Sequence, residues 1–322
     1  MHAIAIETTG GPEALHAVEV AEPQAGPGDV IVDVAFAGVN FIDTYHRAGL
    51  YPLALPAILG LEGSGVVRTA GPGAVSFSEG DRVAWTGHLG SYAAVAAIAE
   101  DSLVAVPDSV ALDDAAAVML QGLTAHYLVN DTFPLRDGHR CLIHAGAGGV
   151  GRLLIQLAKG HGAEVFATAG GSDKTDIAAQ CGADHVIDYS AGDFGAAIEA
   201  VAGPRPLDVV YDGVGAPTFD RGLELLAPLG MMVAYGNAGG PVPPVDPLRL
   251  SRNGSLFLTR PTLFDYIAEP ETLRTRCADL FAAITRGDLN VLVGARFPLA
   301  AAADAHRALE GRTTTGKTLL EL

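Results

Sequence analysis

Gly146, Gly148 and Gly151 stand in G-x-G-x-x-G spacing within Ala145-Gly-Ala-Gly-Gly-Val-Gly151. With 40 glycines in the chain, that spacing alone is a weak signal. Its surroundings strengthen it. Arg140-Cys-Leu-Ile-His144 reads as a short buried strand before the turn, and a helix is expected from about Gly149 to His161. Such glycines let the backbone turn tightly and approach a pyrophosphate, while the helix start offers unpaired N–H groups and a positive dipole end. Gly146, Ala147, Gly148, Gly149, Val150 and Gly151 are therefore a candidate dinucleotide cradle. The bland alternative is a plain strand-to-helix turn.

The dinucleotide type is read about 20 residues further on, where NAD sites place an acid against the ribose 2′-hydroxyl. Here the chain reads Thr168-Ala-Gly-Gly-Ser-Asp-Lys174. No acid stands at Ala169, Gly170 or Gly171, and Asp173 suits the start of the next helix. Lys174 is one of three lysines, with Lys159 and Lys317. Gly171, Ser172 and Lys174 thus form a candidate 2′-phosphate site, and NADPH is the expected cofactor. The alternative for Lys174 is an exposed helix lysine.

The elements that must position these residues change character along the chain. The first third is β-rich: Val30–Phe36, Gly65–Val67, Arg82–Trp85 and Leu103–Val106 read as short strands between Gly and Pro turns. Many short strands suggest a barrel-like antiparallel domain. A helix is expected from Asp113 or Asp114 to Gln121. Beyond it, strands at Glu164–Thr168, His185–Asp188, Asp208–Asp212 and Met231–Tyr235 alternate with helices at Lys174–Gln180, Asp193–Val201 and Thr218–Leu226. That alternation predicts a doubly wound parallel sheet. It stops after Pro241–Pro247, leaving a long helix over Pro270–Arg286 and a strand over Lys317–Leu320.

Composition bounds the function. The 322 residues favour two domains, and 49% hydrophobic against 18% charged residues allows a sizeable core. A net charge of -17 argues against nucleic acid and against an anionic membrane surface. Cys141, Cys181 and Cys277 are an odd, widely spaced set, so neither a disulfide framework nor a Cys-rich zinc site is expected. No signal peptide and no membrane span is recognised, and a cytoplasmic location is expected.

Further segments carry a resemblance over nearly the whole chain: Gly10-Gly-Pro-Glu13, Asn40-Phe-Ile-Asp-Thr-Tyr45, Gly49-Leu-Tyr-Pro52, Gly80-Asp-Arg-Val83, Gln121-Gly-Leu-Thr-Ala125, Val210-Tyr-Asp-Gly-Val-Gly215, Tyr235-Gly-Asn237, Gly254–Pro261 and Gly316-Lys317. Together with His144–Gly151 they resemble the zinc-independent quinone oxidoreductases of the medium-chain dehydrogenase/reductase superfamily, the zeta-crystallin-like group. The resemblance implies an α/β fold: a Rossmann doubly wound parallel sheet over 124–259, and a discontinuous GroES-like partly open β-barrel over 1–123 and 260–322. It implies an active site in the cleft between domains and a homodimer.

It also implies site roles. Asn40 and Thr124 would face the nicotinamide. Lys174 and Tyr189 would flank the adenosine 2′-phosphate, and Gly213 and Val214 would lie near the adenosine ribose. Gly236 and Asn237 would line the cofactor cleft, the backbone of Phe257, Leu258 and Thr259 would hold the carboxamide, and Lys317 would reach the cofactor. Tyr189 as a core aromatic, Asn237 as a turn former and Lys317 as a strand-edge charge remain the alternatives.

Zinc-dependent relatives place a Cys where Asn40 stands, and Gly-His-Glu where Gly60-Leu-Glu62 stands. No cysteine lies in the first 140 residues, so no metal is expected. Without a Lewis acid, a good hydride acceptor such as a quinone or a conjugated enone is favoured. Asn40, Tyr45 and Tyr51 are the polar groups expected nearest the acceptor. Tyr45 could donate to a developing oxyanion, or both tyrosines could form an aromatic wall. NADPH-dependent quinone reduction is the first expectation. Reduction of α,β-unsaturated aldehydes or ketones and non-catalytic NADPH sensing are the alternatives.

Overall fold

The computed structural model describes residues 1–322. Two compact units emerge, Met1–Leu123 with Ile267–Leu322, and Thr124–Tyr266. The second cut falls later than the expected 259/260. Residues 260–266 stay with the second unit because Arg260 Nη1 donates to Ala234 O at 2.7 Å. Tyr266 also stacks on Tyr127 with ring centroids 4.0 Å apart, and its hydroxyl bonds Thr132 Oγ1 at 3.0 Å.

The first unit is organised by the 11-residue strand Asp29–Val39. On one side Glu62–Ala70 pairs with it from Val30 to Ala37. On the other side Val95–Ala99 pairs with its outer half, Asp29–Asp33, and Lys317–Glu321 with its inner half, Phe36–Val39. Changing neighbours midway requires a bend, and the register shifts between Val34 and Phe36. Val293–Pro298, Arg82–Thr86 and Leu103–Ala105 extend the seven-stranded sheet. Alternating Val30, Val32 and Val34 point into a core with Val67, Val83, Ile98 and the fully buried Trp85. Trp85 keeps its polar end satisfied, with Nε1 donating to Ser91 Oγ at 2.9 Å.

Two helices of this unit were not foreseen, Phe41–Ala48 and Ala302–Glu310. The first had a readable signal. Asn40 and Asp43 have capping-box spacing, and Gly49 closes the helix at φ +80°. Asp43 Oδ2 accepts from Asn40 N at 2.8 Å.

The second unit holds one all-parallel sheet of six strands. In chain order they are Arg140–Ile143, Glu164–Ala169, His185–Asp188, Leu207–Asp212, Leu226–Ala234 and Phe257–Thr259. Their spatial order is 3-2-1-4-5-6, so the winding reverses between Arg140–Ile143 and Leu207–Asp212. Ligands bind at the carboxyl ends of strands beside such a reversal. Leu142, Phe166, Val210, Phe219 and Leu226 fill the core beneath. The alternation continues one strand beyond the expected stop. Phe257–Thr259 is only three residues and follows a proline-rich stretch, which hid its period. No helix is long and apolar enough to cross a membrane.

Candidate functional site

In the second unit the glycine turn sits at the carboxyl end of the first sheet strand. Gly146 N donates to Thr168 O at 2.8 Å, and Gly148 N to Ala145 O at 2.8 Å. The helix Gly149–Gly160 starts at Gly148 with no side-chain cap. The first-turn N–H groups therefore have no intrahelical acceptor, the arrangement that suits an anion. A side chain at Gly151 would put its Cβ 2.2 Å from Ala145 O, so only glycine lets helix and turn close. This cradle fits a pyrophosphate.

The next strand ends at Ala169 and turns through Gly171 at φ +82° into the helix Ser172–Gln180. Asp188, unremarked in the sequence, organises this corner. Its Oδ1 accepts from Gly171 N at 3.0 Å and from Ser190 N at 2.9 Å. Tyr189 is 45% exposed, which removes the core-aromatic alternative. Its ring covers Gly170, where a Cβ would lie 2.6 Å from the phenol oxygen. Ser172 is exposed and Lys174 half-buried in the first turn of the helix. The corner thus carries the Ser172 hydroxyl and the Lys174 ammonium beside two acids, Asp188 on the Gly171 amide and Asp173, whose Oδ1 accepts from Ser172 Oγ at 3.3 Å.

Asp212, fully buried, plays the matching part at the end of the fourth strand. Its Oδ1 accepts from Val214 N at 2.7 Å and Gly215 N at 2.9 Å, and its Oδ2 from Thr218 Oγ1 at 2.8 Å. That shapes the Gly213–Gly215 loop, against which Gly236–Gly240 packs through Ala238 N to Gly213 O at 3.1 Å. The Asn237 amide, oriented to satisfy both ends, donates to Gly236 O at 2.9 Å and accepts from Arg260 Nη2 at 3.3 Å. Thr124 is buried at 7% exposure on the helix Leu112–Tyr127. Phe257 and Leu258 project from the outermost strand at 56% and 36% exposure.

In the first unit a polar cluster forms where three neighbouring strands end. Thr318 pairs with Val39, and Ala37 with Gly63, which brings Lys317, Asn40 and Glu62 side by side. Glu62 lies across Gly38, where a Cβ would meet its Oε1 at 2.1 Å. Asn40 Nδ2 donates to Glu62 Oε1 at 2.6 Å, and Leu120 N donates to Oε2 at 2.6 Å. The Lys317 ammonium donates to Asn40 Oδ1 at 2.8 Å and pairs with Glu62 Oε1. Gln121 Nε2 adds a second donor to Asn40 Oδ1 at 3.1 Å. Lys317, expected to reach a dinucleotide, is instead 2% exposed with its charge neutralised inside the unit. Nor is it a strand-edge charge, because its strand has a neighbour on each side. In the sequence Glu62 and Gln121 stand only within motifs, and no spacing marks them as partners of Asn40. No three His, Cys, Asp or Glu side chains converge to hold a metal.

Beneath this cluster a second polar chain runs outward. Tyr92 Oη donates to Asp43 Oδ2 at 3.2 Å and meets His306 Nε2 at 3.1 Å. Arg47 Nη1 lies 3.0 Å from His306 Nδ1, and its Nη2 bonds Glu310 at 2.6 Å. Burial pushes the Asp43 carboxyl up to about 7, against the Asn40 N–H and Lys317, with Glu62 adding to the rise. Burial and the Arg47 guanidinium hold His306 down to about 3. These shifts oppose one another. Between pH 3.8 and about 7, folded Asp43 keeps a proton that the unfolded chain has lost, so its contribution falls as pH rises. His306 refuses, from about 3 to 6.5, a proton that the unfolded chain binds, so its contribution rises with pH. Comparing Asp43→Asn with wild type isolates the first slope. The variant should gain on wild type by roughly 4 kcal/mol at the limit as pH rises through this window, read by urea unfolding at pH 4 to 8.

Beside Asn40, Tyr45 and Tyr51 meet edge to face with centroids 5.4 Å apart, and Leu50 N donates to Tyr45 O at 2.9 Å. They form one half-buried aromatic surface on the helix Phe41–Ala48 and the turn after it.

Comparison with known proteins agrees with both units. The family model described as "Alcohol dehydrogenase GroES-like domain" matches residues 26–108, and "Zinc-binding dehydrogenase" matches 149–279. A quinone oxidoreductase of Pseudomonas aeruginosa is 44% identical, covering 97% of this chain and 96% of that protein. A 2-haloacrylate reductase of a Burkholderia species is 38% identical, covering 99% and 98%. The solved structure of Escherichia coli quinone oxidoreductase complexed with NADPH superposes over the full length of both chains, with a TM-score of 0.98 at 38% identity. Near-complete coverage at these identities, on a GroES-like unit and a 3-2-1-4-5-6 sheet, makes the chain a member of the quinone oxidoreductase family of the medium-chain dehydrogenase/reductase superfamily.

Proposed function

We propose that this protein is a zinc-independent NADPH:quinone oxidoreductase. The observation that carries the reading is the pairing of the Lys317 ammonium with Glu62 beside Asn40. A site whose carboxylate is already neutralised by a lysine, and whose neighbours are amides, lacks the donors that zinc requires. Such a site favours an acceptor that takes hydride without a Lewis acid. When bound, NADPH supplies that hydride, and the overall change is quinone plus NADPH plus a proton to hydroquinone plus NADP⁺.

The chain's residues bind and orient. The turn from Gly146 to Gly151 holds the pyrophosphate on helix N–H groups. Gly171, Ser172, Lys174 and Tyr189 take the 2′-phosphate. Gly213, Val214, Gly236 and Asn237 shape the adenosine ribose side, and the Phe257–Thr259 backbone takes the carboxamide. Thr124 and Asn40 border the reacting ring. Tyr45 and Tyr51 give a planar acceptor a surface to stack on.

Lys174→Ala should weaken NADPH binding about 10- to 100-fold while leaving NADH binding unchanged, in keeping with the loss of a charge-assisted contact. Fluorescence titration with both cofactors checks it.

A second reading, reduction of activated alkenes, is favoured by the 2-haloacrylate reductase relative. NADPH oxidation followed with 9,10-phenanthrenequinone, 1,4-benzoquinone, an alkenal and 2-chloroacrylate separates the two. Turnover of quinones, with no stoichiometric zinc by metal analysis, is the expected result. Turnover of alkenes alone, or zinc near one per chain, would overturn the first reading.

We also infer a homodimer. Phe257–Thr259 closes one side of its sheet, and Phe257 and Leu258 on that strand are exposed. An uncovered apolar edge is a template for pairing with a second copy. Phe257→Lys should give a monomer in sedimentation velocity, where wild type sediments as a dimer.

A further inference from the structure

In the second unit an acid enters the 2′-phosphate corner from the neighbouring strand. Asp188 ends the strand His185–Asp188, level with Ala169 at the end of Glu164–Ala169 in the parallel ladder. NAD sites carry their acid at the end of the second strand, where this chain has Ala169. Paired strands lie about 4.8 Å apart, so Asp188 brings a carboxylate within one strand spacing of that place. Tyr189 N donates to Ala169 O at 3.1 Å and ties the two strand ends together.

The carboxylate is bound at one oxygen only. Oδ1 accepts from Gly171 N at 3.0 Å, Ser190 N at 2.9 Å and Ser190 Oγ at 2.6 Å. Oδ2 accepts nothing within the protein and, on a half-buried side chain, is not sealed from water. The Ser190 hydroxyl and the Gly171 and Ser190 N–H groups hold the carboxyl below the usual carboxylate range, so it is ionised at neutral pH. The corner has room for a ligand. Nothing lies within 4 Å of a Cβ built on Gly171, and Ser172 and Tyr189 are exposed. Asp173 and Lys174 are the other charged groups in the first turn of the helix Ser172–Gln180.

An open carboxylate oxygen and an ammonium favour opposite substituents at a ribose 2′ position. The ammonium attracts a phosphate, which the carboxylate repels. The carboxylate accepts from a hydroxyl, which gives the ammonium no charge to hold. We propose that the corner takes NADH as a second cofactor, with Asp188 Oδ2 accepting the adenosine-ribose 2′-hydroxyl, and that Lys174 and Asp188 together set the balance between NADPH and NADH. Asp188 is thereby a specificity-determining residue, whichever acceptor the enzyme reduces.

Fluorescence titration of the purified protein with NADH and NADPH tests this. Asp188→Asn keeps an acceptor for Gly171 N and Ser190 N and removes the charge. It should raise the NADH Kd about 3- to 10-fold, the effect of one net hydrogen bond, and lower the NADPH Kd about 2- to 5-fold at low salt. A residue that merely held the Gly171 turn would move both cofactors the same way. The NADPH gain should shrink at about 0.5 M salt, because the corner is open to screening. With wild type, NADH lacking the adenosine-ribose 2′-hydroxyl should bind about 3- to 10-fold more weakly than NADH, and this arm needs no variant to fold. In Asp188→Asn the two ligands should bind within about twofold of each other. Shifts in the same direction for both cofactors, a 2′-deoxy-NADH that binds wild type like NADH, or NADH that fails to bind wild type would overturn the proposal.

Discussion

Lys317→Met should cost about 3–5 kcal/mol of stability, because it leaves the fully buried Glu62 carboxylate without its cation. The methionine replaces the aliphatic stem, so lost packing is small and the charge dominates. Glu62→Gln in the same chain should return most of that loss. The glutamine oxygen still accepts from Leu120 N, and no charge is left to desolvate. Urea unfolding of the two single variants and the double variant forms a thermodynamic cycle. A coupling of several kcal/mol is expected, and additive single effects would show that the ion pair does not hold the cluster. Activity should separate from stability: the double variant is expected to fold and bind cofactor but to lose turnover, since Asn40 Oδ1 loses its strongest donor.

Gly151→Ala should abolish tight cofactor binding. The added Cβ would stand 2.2 Å from the backbone oxygen of Ala145, and backbone cannot swing aside as a flexible side chain can. Either the helix Gly149–Gly160 backs away from the turn or the turn opens, and both displace the N–H groups from the phosphate. Loss of two charge-assisted hydrogen bonds corresponds to a drop in NADPH affinity of about 100-fold or more. Gly160→Ala on the same helix is the control. Nothing lies within 4 Å of its added carbon, so affinity and stability should match wild type. Gly146→Ala should fall between them, as its Cβ meets only side chains at 3.1–3.2 Å.

The parallel sheet was legible because its central strands are apolar runs buried on both faces, a pattern that local sequence carries intact. Four of its six strands are legible to within a residue, the fifth starts at Leu226 and not at Met231, and the sixth, Phe257–Thr259, carries no legible period. The β-rich unit was legible only as a class. Its organising strand changes neighbours at a bulge, and pairing Lys317 next to Asn40 depends on contacts between distant parts of the chain. The resemblance alone implies that Lys317 reaches a dinucleotide; the residues do not show its partner. Its rarity in an acidic chain marked it as special, but rarity says nothing about which anion it meets. Glu62 supplied that anion, and only the folded register reveals it. Gln121, a glutamine on an apolar helix, carries no spacing rule, and its bond to Asn40 Oδ1 is set by the fold. The cradle at Gly146–Gly151 lay at the other extreme, where the spacing is itself the geometry.

The discontinuous make-up of the first unit sets an order of events during synthesis. Thr124–Tyr266 is one unbroken stretch and is fully translated before Ile267–Leu322 begins. Contiguous domains fold as units while the ribosome is still at work. The dinucleotide-type unit therefore completes first, and Glu62 waits through all of that time for the ammonium of Lys317. Until the strand Lys317–Glu321 arrives, the sheet of the first unit has an unpaired interior edge and an uncompensated carboxylate. Chaperone demand should concentrate in that interval, which closes when the strand Lys317–Glu321 takes its place in the sheet.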